Sequence, residues 1–188
     1  MSAFYVHPTS VIDHDVKIGD ETKIWHFCHV QSGAVIGNRC SFGQNVYIAG
    51  NVRIGNGCRV QNNVSLYEGV ELEDDVFCGP SCVFTNDLTP RAKYPKGHAA
   101  YKKTLIRQGA TIGANATVVC GNTIGKWAMV AAGAVVTKDI PDHALVKGAP
   151  ARICGWVCEC GEVLPEQLVC PKCSRSYRKT EKGLVEVI

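Results

Sequence analysis

The sequence predicts an all-β fold of stacked six-residue units, interrupted by one long loop and closed by a small cysteine-rich module. Three observations predict it. Aliphatic residues recur at every sixth position along most of the chain, the recurrence breaks between Phe84 and Ile106, and two close cysteine pairs stand near the C-terminal end.

The recurrence begins at Val6 and runs through Ile12, Ile18, Ile24, Val30, Ile36, Phe42, Ile48, Ile54, Val60, Leu66, Leu72, Cys78 and Phe84. It resumes in a shifted register at Ile106, Ile112, Val118, Ile124, Val130 and Val136. Four places after each of these stands, in nearly every unit, a small or β-branched residue, such as Thr22, Cys28, Ala34, Cys40, Cys58, Val64, Cys82, Ala110 or Ala134. A helix cannot present a period of six on one face. Short strands joined by corners can, and three units close one triangular coil. The large aliphatic residue then points into the prism and the small one fits the corner beside it. Coils stack about 4.8 Å apart, so burial is a continuous column rather than one globular core.

This register assigns most of the 11 cysteines. Cys28, Cys40, Cys58 and Cys82 take the small inward position and Cys78 the large one, where a thiol behaves as a small buried hydrophobe. Cys120 falls on an outward position and reads as a surface thiol.

The break places residues 88–104 outside the prism as a loop. It carries two prolines, two tyrosines and several basic groups, and it follows directly on Asn86-Asp87. A tolerated insertion is the plain alternative, but long loops on repeat scaffolds carry function. The repeats occupy 1–153. Residues 154–188 form a separate module, with Tyr177 and Leu184–Ile188 suited to a small ribbon of strands. Its Cys158-Glu-Cys160 and Cys170-Pro-Lys-Cys173 are two knuckles able to turn four thiolates toward one tetrahedral Zn²⁺. Four thiolates leave no open position for water, so the expected role is structural. A redox dithiol is the alternative, and Cys154 is a spare thiol.

Composition excludes other classes. Apolar residues make up 46% and charged residues 20% of 188, which fits neither a disordered nor a membrane-inserted chain. A net charge of +3, spread along the chain, does not suggest nucleic acid. The odd cysteine count and the lack of a leader-like N-terminus predict a reducing, cytoplasmic setting without disulfides.

Several motifs carry a closer resemblance: His7-Pro-Thr9, Ile24-Trp-His-Phe27, Phe42-Gly-Gln-Asn45, Leu72 to Ser81, Phe84-Thr-Asn-Asp87 and Gly148-Ala-Pro-Ala-Arg152. With these the chain resembles the hexapeptide-repeat bacterial nucleotide-sugar N-acetyltransferases. Within that family it looks most like those acting on UDP-2-acetamido-3-amino-2,3-dideoxyglucuronate in lipopolysaccharide sugar synthesis, with dTDP-3-amino-sugar enzymes as near relatives. The resemblance implies a left-handed parallel β-helix, a homotrimer with active sites shared between subunits, and acetyl-CoA as donor. A full cysteine set in the tail departs from the family pattern.

The chemistry implied is attack of a neutral sugar amine on a thioester, which needs positioning and oxyanion donors more than a strong base. Asn86 is the candidate for orienting the amine, with the departing sulfur taking the proton. His98 is the alternative base. Asn62, Tyr67, Glu68, Arg91 and Lys102 are candidates for binding the anionic acceptor. For CoA, the resemblance points to the late coils, with backbone near Gly113 and Ala131 along the pantetheine and Lys138 and Arg152 at its phosphates. Two rivals remain: a hexapeptide carbonic anhydrase, for which the coils after the loop supply no histidine before His143, and a non-enzymatic scaffold whose zinc ribbon binds a partner.

Overall fold

The computed structural model describes residues 4–187. Two-residue strands recur every six positions and stack into three parallel sheets, the faces of a prism. The first face runs from Tyr5–Val6 through Ser41–Phe42 and Phe77–Cys78 to Met129–Val130 and Ala144–Lys147. The second runs from Val11–Ile12 to Val135–Val136, and the third from Lys17–Ile18 to Thr123–Ile124. Pairing steps by one coil, as in Arg59↔Ser41 and Arg59↔Phe77. This is the parallel solenoid expected from the six-residue period, consistent with a left-handed β-helix.

The corners explain the turn residues. The third residue after each aliphatic one has positive φ in coil after coil, at Asp15, Asn45, Asn63, Asp75 and Asn115 among others. Asn and Asp tolerate that left-handed backbone because their short polar groups bond locally. Their corner neighbours also bond along the axis: Asn38, Asn56 and Asp74 each accept, through Oδ1, the N–H eighteen residues earlier in the chain.

The inward positions are buried as expected, from Ile24 through Phe42, Leu66, Phe84, Ile112 and Val130 to Val146. The corner cysteines do more than fill space. Cys28, Cys40 and Cys58 each direct the thiol to a carbonyl of the following coil, at 3.0, 3.1 and 3.1 Å. Thr22 makes the same contact, its hydroxyl donating to the Gly37 carbonyl at 2.8 Å. Cys120 is a correction: it is buried, not a surface thiol. Its N–H bonds the Thr85 hydroxyl one coil below, and the neighbouring Gly121 N–H bonds the Lys103 carbonyl. The limb returning from the loop covers this corner, which the six-residue register alone does not reveal.

The loop leaves the corner between the second and third faces, makes one short 3₁₀ turn at His98–Ala100, and re-enters at Thr104–Ile106, which pairs with Val70–Leu72. Beyond the last coil, Ala144–Lys147 turns back into the antiparallel strand Arg152–Trp156, which runs across the expected junction at 153/154. The tail then forms a hairpin, Ser176–Thr180 with Gly183–Val187, around a second small core of Cys158, Leu164, Cys170, Tyr177 and Leu184. Ile188, the expected end of that ribbon, lies outside the described residues. Among the described residues, no helix is long and apolar enough to cross a membrane.

Candidate active site and cysteine centre

The prism sorts the site residues into two corner columns. Between the first and second faces stack His26, Gln44, Asn62, Gly113 and Ala131. Arg152 joins them, because it pairs with Lys147 beside the strand that follows Val130. Between the second and third faces stack Tyr67, Glu68 and Asn86, the loop with Arg91, His98 and Lys102, and farther along the axis Lys138. The second face lies between the two columns, so one chain does not bring all of them into a single cleft.

The loop folds back on its own corner. Lys96 Nζ sits 2.6 Å from Asp87 Oδ1 and also bonds the Thr89 hydroxyl, while the Thr89 N–H donates to Asp87 at 2.8 Å. Lys96 first, and the Thr89 N–H second, hold the Asp87 carboxyl below its ordinary range. His98 Nδ1 meets Glu68 Oε2 at 2.5 Å, and the Lys102 N–H donates to the Asn86 carbonyl at 2.9 Å. Beside these ties lies an open cavity of about 370 Å³ lined by Asn86, Asp87, Arg91, Tyr94, Lys96 and Tyr101. Sequence reasoning had marked Asp87 only as the polar neighbour of Asn86, and it missed Tyr94, Lys96 and Tyr101. The signal for those three was membership of the basic, aromatic loop.

In the other column the amides are partly committed. Asn62 Oδ1 accepts the Gln44 N–H at 2.9 Å, and Asn45 Nδ2 donates to Asn63 Oδ1 at 3.1 Å. Asn62 still borders a cavity of about 300 Å³ with Trp25, His26, Gln44 and Gln61. The N–H groups of Gly113 and Ala131 are spent in the ladder, on Val130 and Val146 carbonyls at 2.8 and 2.9 Å. A Cβ at Gly113 would lie 2.5 Å from the Ala132 nitrogen, so coil stacking alone demands the glycine. Lys138 and Arg152 are both exposed, on different corners.

The tail gathers its cysteines as their spacing predicts. The sulfurs of Cys158, Cys160, Cys170 and Cys173 all lie within 4.8 Å of one another, with Cys158–Cys173 at 3.4 Å and Cys160–Cys170 at 3.6 Å. Tetrahedral zinc–thiolate bonds of about 2.3 Å place sulfurs roughly 3.8 Å apart, so the set fits such an ion and could hold one. The Arg175 N–H and then the neighbouring thiols and the Arg175 guanidinium draw Cys173 down to about 6. Against a lowering backbone bond at Glu162, desolvation and the other three thiols push Cys160 up to about 12. Cys154 stands apart, exposed, its thiol 3.5 Å from the Leu145 carbonyl.

Residues 15–50 match the bacterial transferase hexapeptide (six repeats) family, and residues 33–68 and 106–138 match the hexapeptide repeat of succinyl-transferase. A dTDP-3-amino-3,6-dideoxy-alpha-D-galactopyranose 3-N-acetyltransferase from Aneurinibacillus thermoaerophilus is 45% identical over 185 residues, covering 96% of this chain and 93% of the relative. The chain belongs to the hexapeptide-repeat nucleotide-sugar N-acetyltransferases. This N-acetyltransferase also shares its fold with WeeI from Acinetobacter baumannii AYE, at TM-score 0.53 and 25% identity, covering 79% of this chain and 56% of that one. The acetyltransferase domain of PglB from Neisseria gonorrhoeae FA1090, solved in complex with acetyl coenzyme A, matches at TM-score 0.52 and 21% identity, over 79% of this chain and 56% of that one. The chain thus spans little more than half the length of those two solved chains.

Proposed function

We propose that the enzyme transfers the acetyl group of acetyl-CoA to the 3-amino group of a dTDP-linked 3-amino-dideoxyhexose. The observation that carries this is the near full-length relative at 45% identity, named for that reaction. The cavity at the loop corner is bordered by Asn86 and by Arg91, the cation there that Asp87 does not already pair as it pairs Lys96, and it suits an anionic sugar nucleotide presenting an amine. A UDP-linked 3-amino-glucuronate is the second reading, favoured by Arg91 at that cavity, which could pair with a uronate.

In this reading the Asn86 amide oxygen accepts an amine N–H and aims the lone pair at the thioester carbonyl. The C–N bond forms, the C–S bond breaks, and the departing sulfur takes the amine proton. His98 is the alternative acceptor of that proton: with Nδ1 engaged by Glu68, its Nε2 is the nitrogen left to act. Tyr67, Glu68, Arg91 and Lys102 line the acceptor side, with Asn62 contributing its amide nitrogen. Acetyl-CoA lies along the late coils. Because the Gly113 and Ala131 N–H groups are committed, the half-buried Ala114 and the exposed Ala132 supply the turn of that corner, and Lys138 and Arg152 meet the phosphates.

The separation of the two columns supports a homotrimer in which the corner of one chain faces the corner of the next. The tail reads as a structural zinc ribbon, 154–188, appended to a catalytic β-helix, 1–153, in a cytoplasmic enzyme. Free thiol release with acetyl-CoA and a panel of dTDP- and UDP-linked 3-amino sugars tests the assignment. Turnover fastest with the dTDP sugar supports it, turnover only with the UDP uronate selects the second reading, and no turnover with any amine overturns both.

A further inference from the structure

The strand Arg152–Trp156 is an edge strand. Its sheet partner is Ala144–Lys147 alone, with a register shift between Leu145 and Val146; on the other side only its last residue is engaged, the Trp156 carbonyl accepting the Leu164 N–H at 2.8 Å, and its Arg152, Ile153 and Cys154 are exposed. So lightly buried a strand depends on what anchors its ends. One end is Arg152. Just past the other, Val157 trades two contacts with the buried His143: its N–H donates to the His143 carbonyl at 2.8 Å, and its carbonyl meets His143 Nδ1 at 2.9 Å. The next residue is Cys158.

Behind this junction stands Tyr177. Its ring centroid is 4.9 Å from that of His143, and its hydroxyl accepts the Glu159 N–H at 3.3 Å, which leaves the hydroxyl proton for the Cys158 sulfur at 3.2 Å. His143 in turn donates its own N–H to the Lys126 carbonyl in the coil below, at 2.8 Å. A continuous brace therefore runs from the cysteine cluster through Tyr177 and His143 to the last coil. The strand bearing Arg152 is strung between that brace and the coil.

We infer that occupancy of the cysteine cluster by a metal ion sets the position of Arg152 and thereby the affinity for acetyl-CoA, with Tyr177 and His143 as positioning residues. This rests on reading the cluster as a zinc site and Arg152 as a CoA contact. Loss of one charge-assisted hydrogen bond weakens binding by about tenfold or more, which is the scale expected if Arg152 is displaced.

The test uses the full-length protein as isolated, after zinc removal with EDTA, and after zinc is returned. Zinc content, hydrogen exchange across 152–156 and the acetyl-CoA dissociation constant are measured together. Zinc removal is expected to speed exchange in that strand and weaken acetyl-CoA binding by about tenfold, with both restored by zinc. Tyr177→Phe, with zinc retained, is expected to move both part of the way. Unchanged acetyl-CoA affinity in the zinc-free protein, while Arg152→Ala weakens it in the zinc-loaded protein, overturns this inference alone. Unchanged affinity in Arg152→Ala overturns the CoA assignment with it. Absence of zinc from the isolated protein overturns the ribbon reading and the inference together.

Discussion

Glu68 and His98 meet at 2.5 Å although thirty positions of sequence separate them. The contact joins the loop to the corner of the coil beneath it, beside the cavity that holds Asn86. The Glu68 side chain is partly exposed and that of His98 largely so, and the pair contributes placement of the loop more than stability. Glu68→Ala is therefore expected to raise the KM for the amino sugar nucleotide by about tenfold and to leave kcat within roughly threefold. Steady-state kinetics decide it. A collapse of kcat by about a hundredfold in both Glu68→Ala and His98→Ala would instead make His98 the base.

Asn86 has a sharper expectation. If its amide orients the amine, Asn86→Ala lowers kcat by about tenfold or more while leaving assembly and acetyl-CoA binding intact. Turnover near that of the wild type, with the oligomer checked by light scattering, would remove Asn86 from the role.

The two corner columns predict complementation. If the site is built from two chains as proposed, Asn86→Ala would damage its acceptor side and Arg152→Ala its donor side. Mixed trimers of these variants, assayed at low acetyl-CoA, are expected to recover about a quarter of the wild-type sites under random assembly. Activity no greater than the average of the parents would place the whole site within one chain.

The corner cysteines predict a stability pattern. Cys58 is fully buried, and its thiol donates to the Glu73 carbonyl at 3.1 Å. Cys58→Ala removes both the volume and the donor and is expected to cost about 1–2 kcal/mol. Cys58→Thr, which copies the Thr22 arrangement, is expected to cost less. Denaturant melts of both variants check the order.

His143 predicts a pH dependence. Burial, above all, lowers its pKa from the ordinary 6.5, although the Val157 carbonyl and nearby carboxylates pull the other way. The native state binds the neutral ring, so its contribution is fully present above 6.5 and declines as pH falls below it toward the lower native value. Docking of the tail, followed by Trp156 fluorescence in denaturant, is expected to weaken between about pH 7 and pH 5.5. In His143→Gln that part of the slope is expected to vanish, which separates it from protonation of the thiolates.

The repeat was legible in the sequence because each unit is local: an aliphatic residue, a left-handed corner residue and a small residue within six positions. That pattern sets every inward side chain from Ile24 to Val136, and knuckle spacing likewise brought four cysteines together. Asn86 could be singled out because its amide can accept an amine N–H and the family resemblance points to that position. Tertiary structure alone decided the rest. Cys120 is buried because a returning loop covers its corner, and Glu68 and His98 meet because that loop folds back. His143 reaches Tyr177 only because the tail packs against the final coil. Contacts of this kind depend on where a loop or tail comes to rest, and that is set by packing between distant segments rather than by a local period.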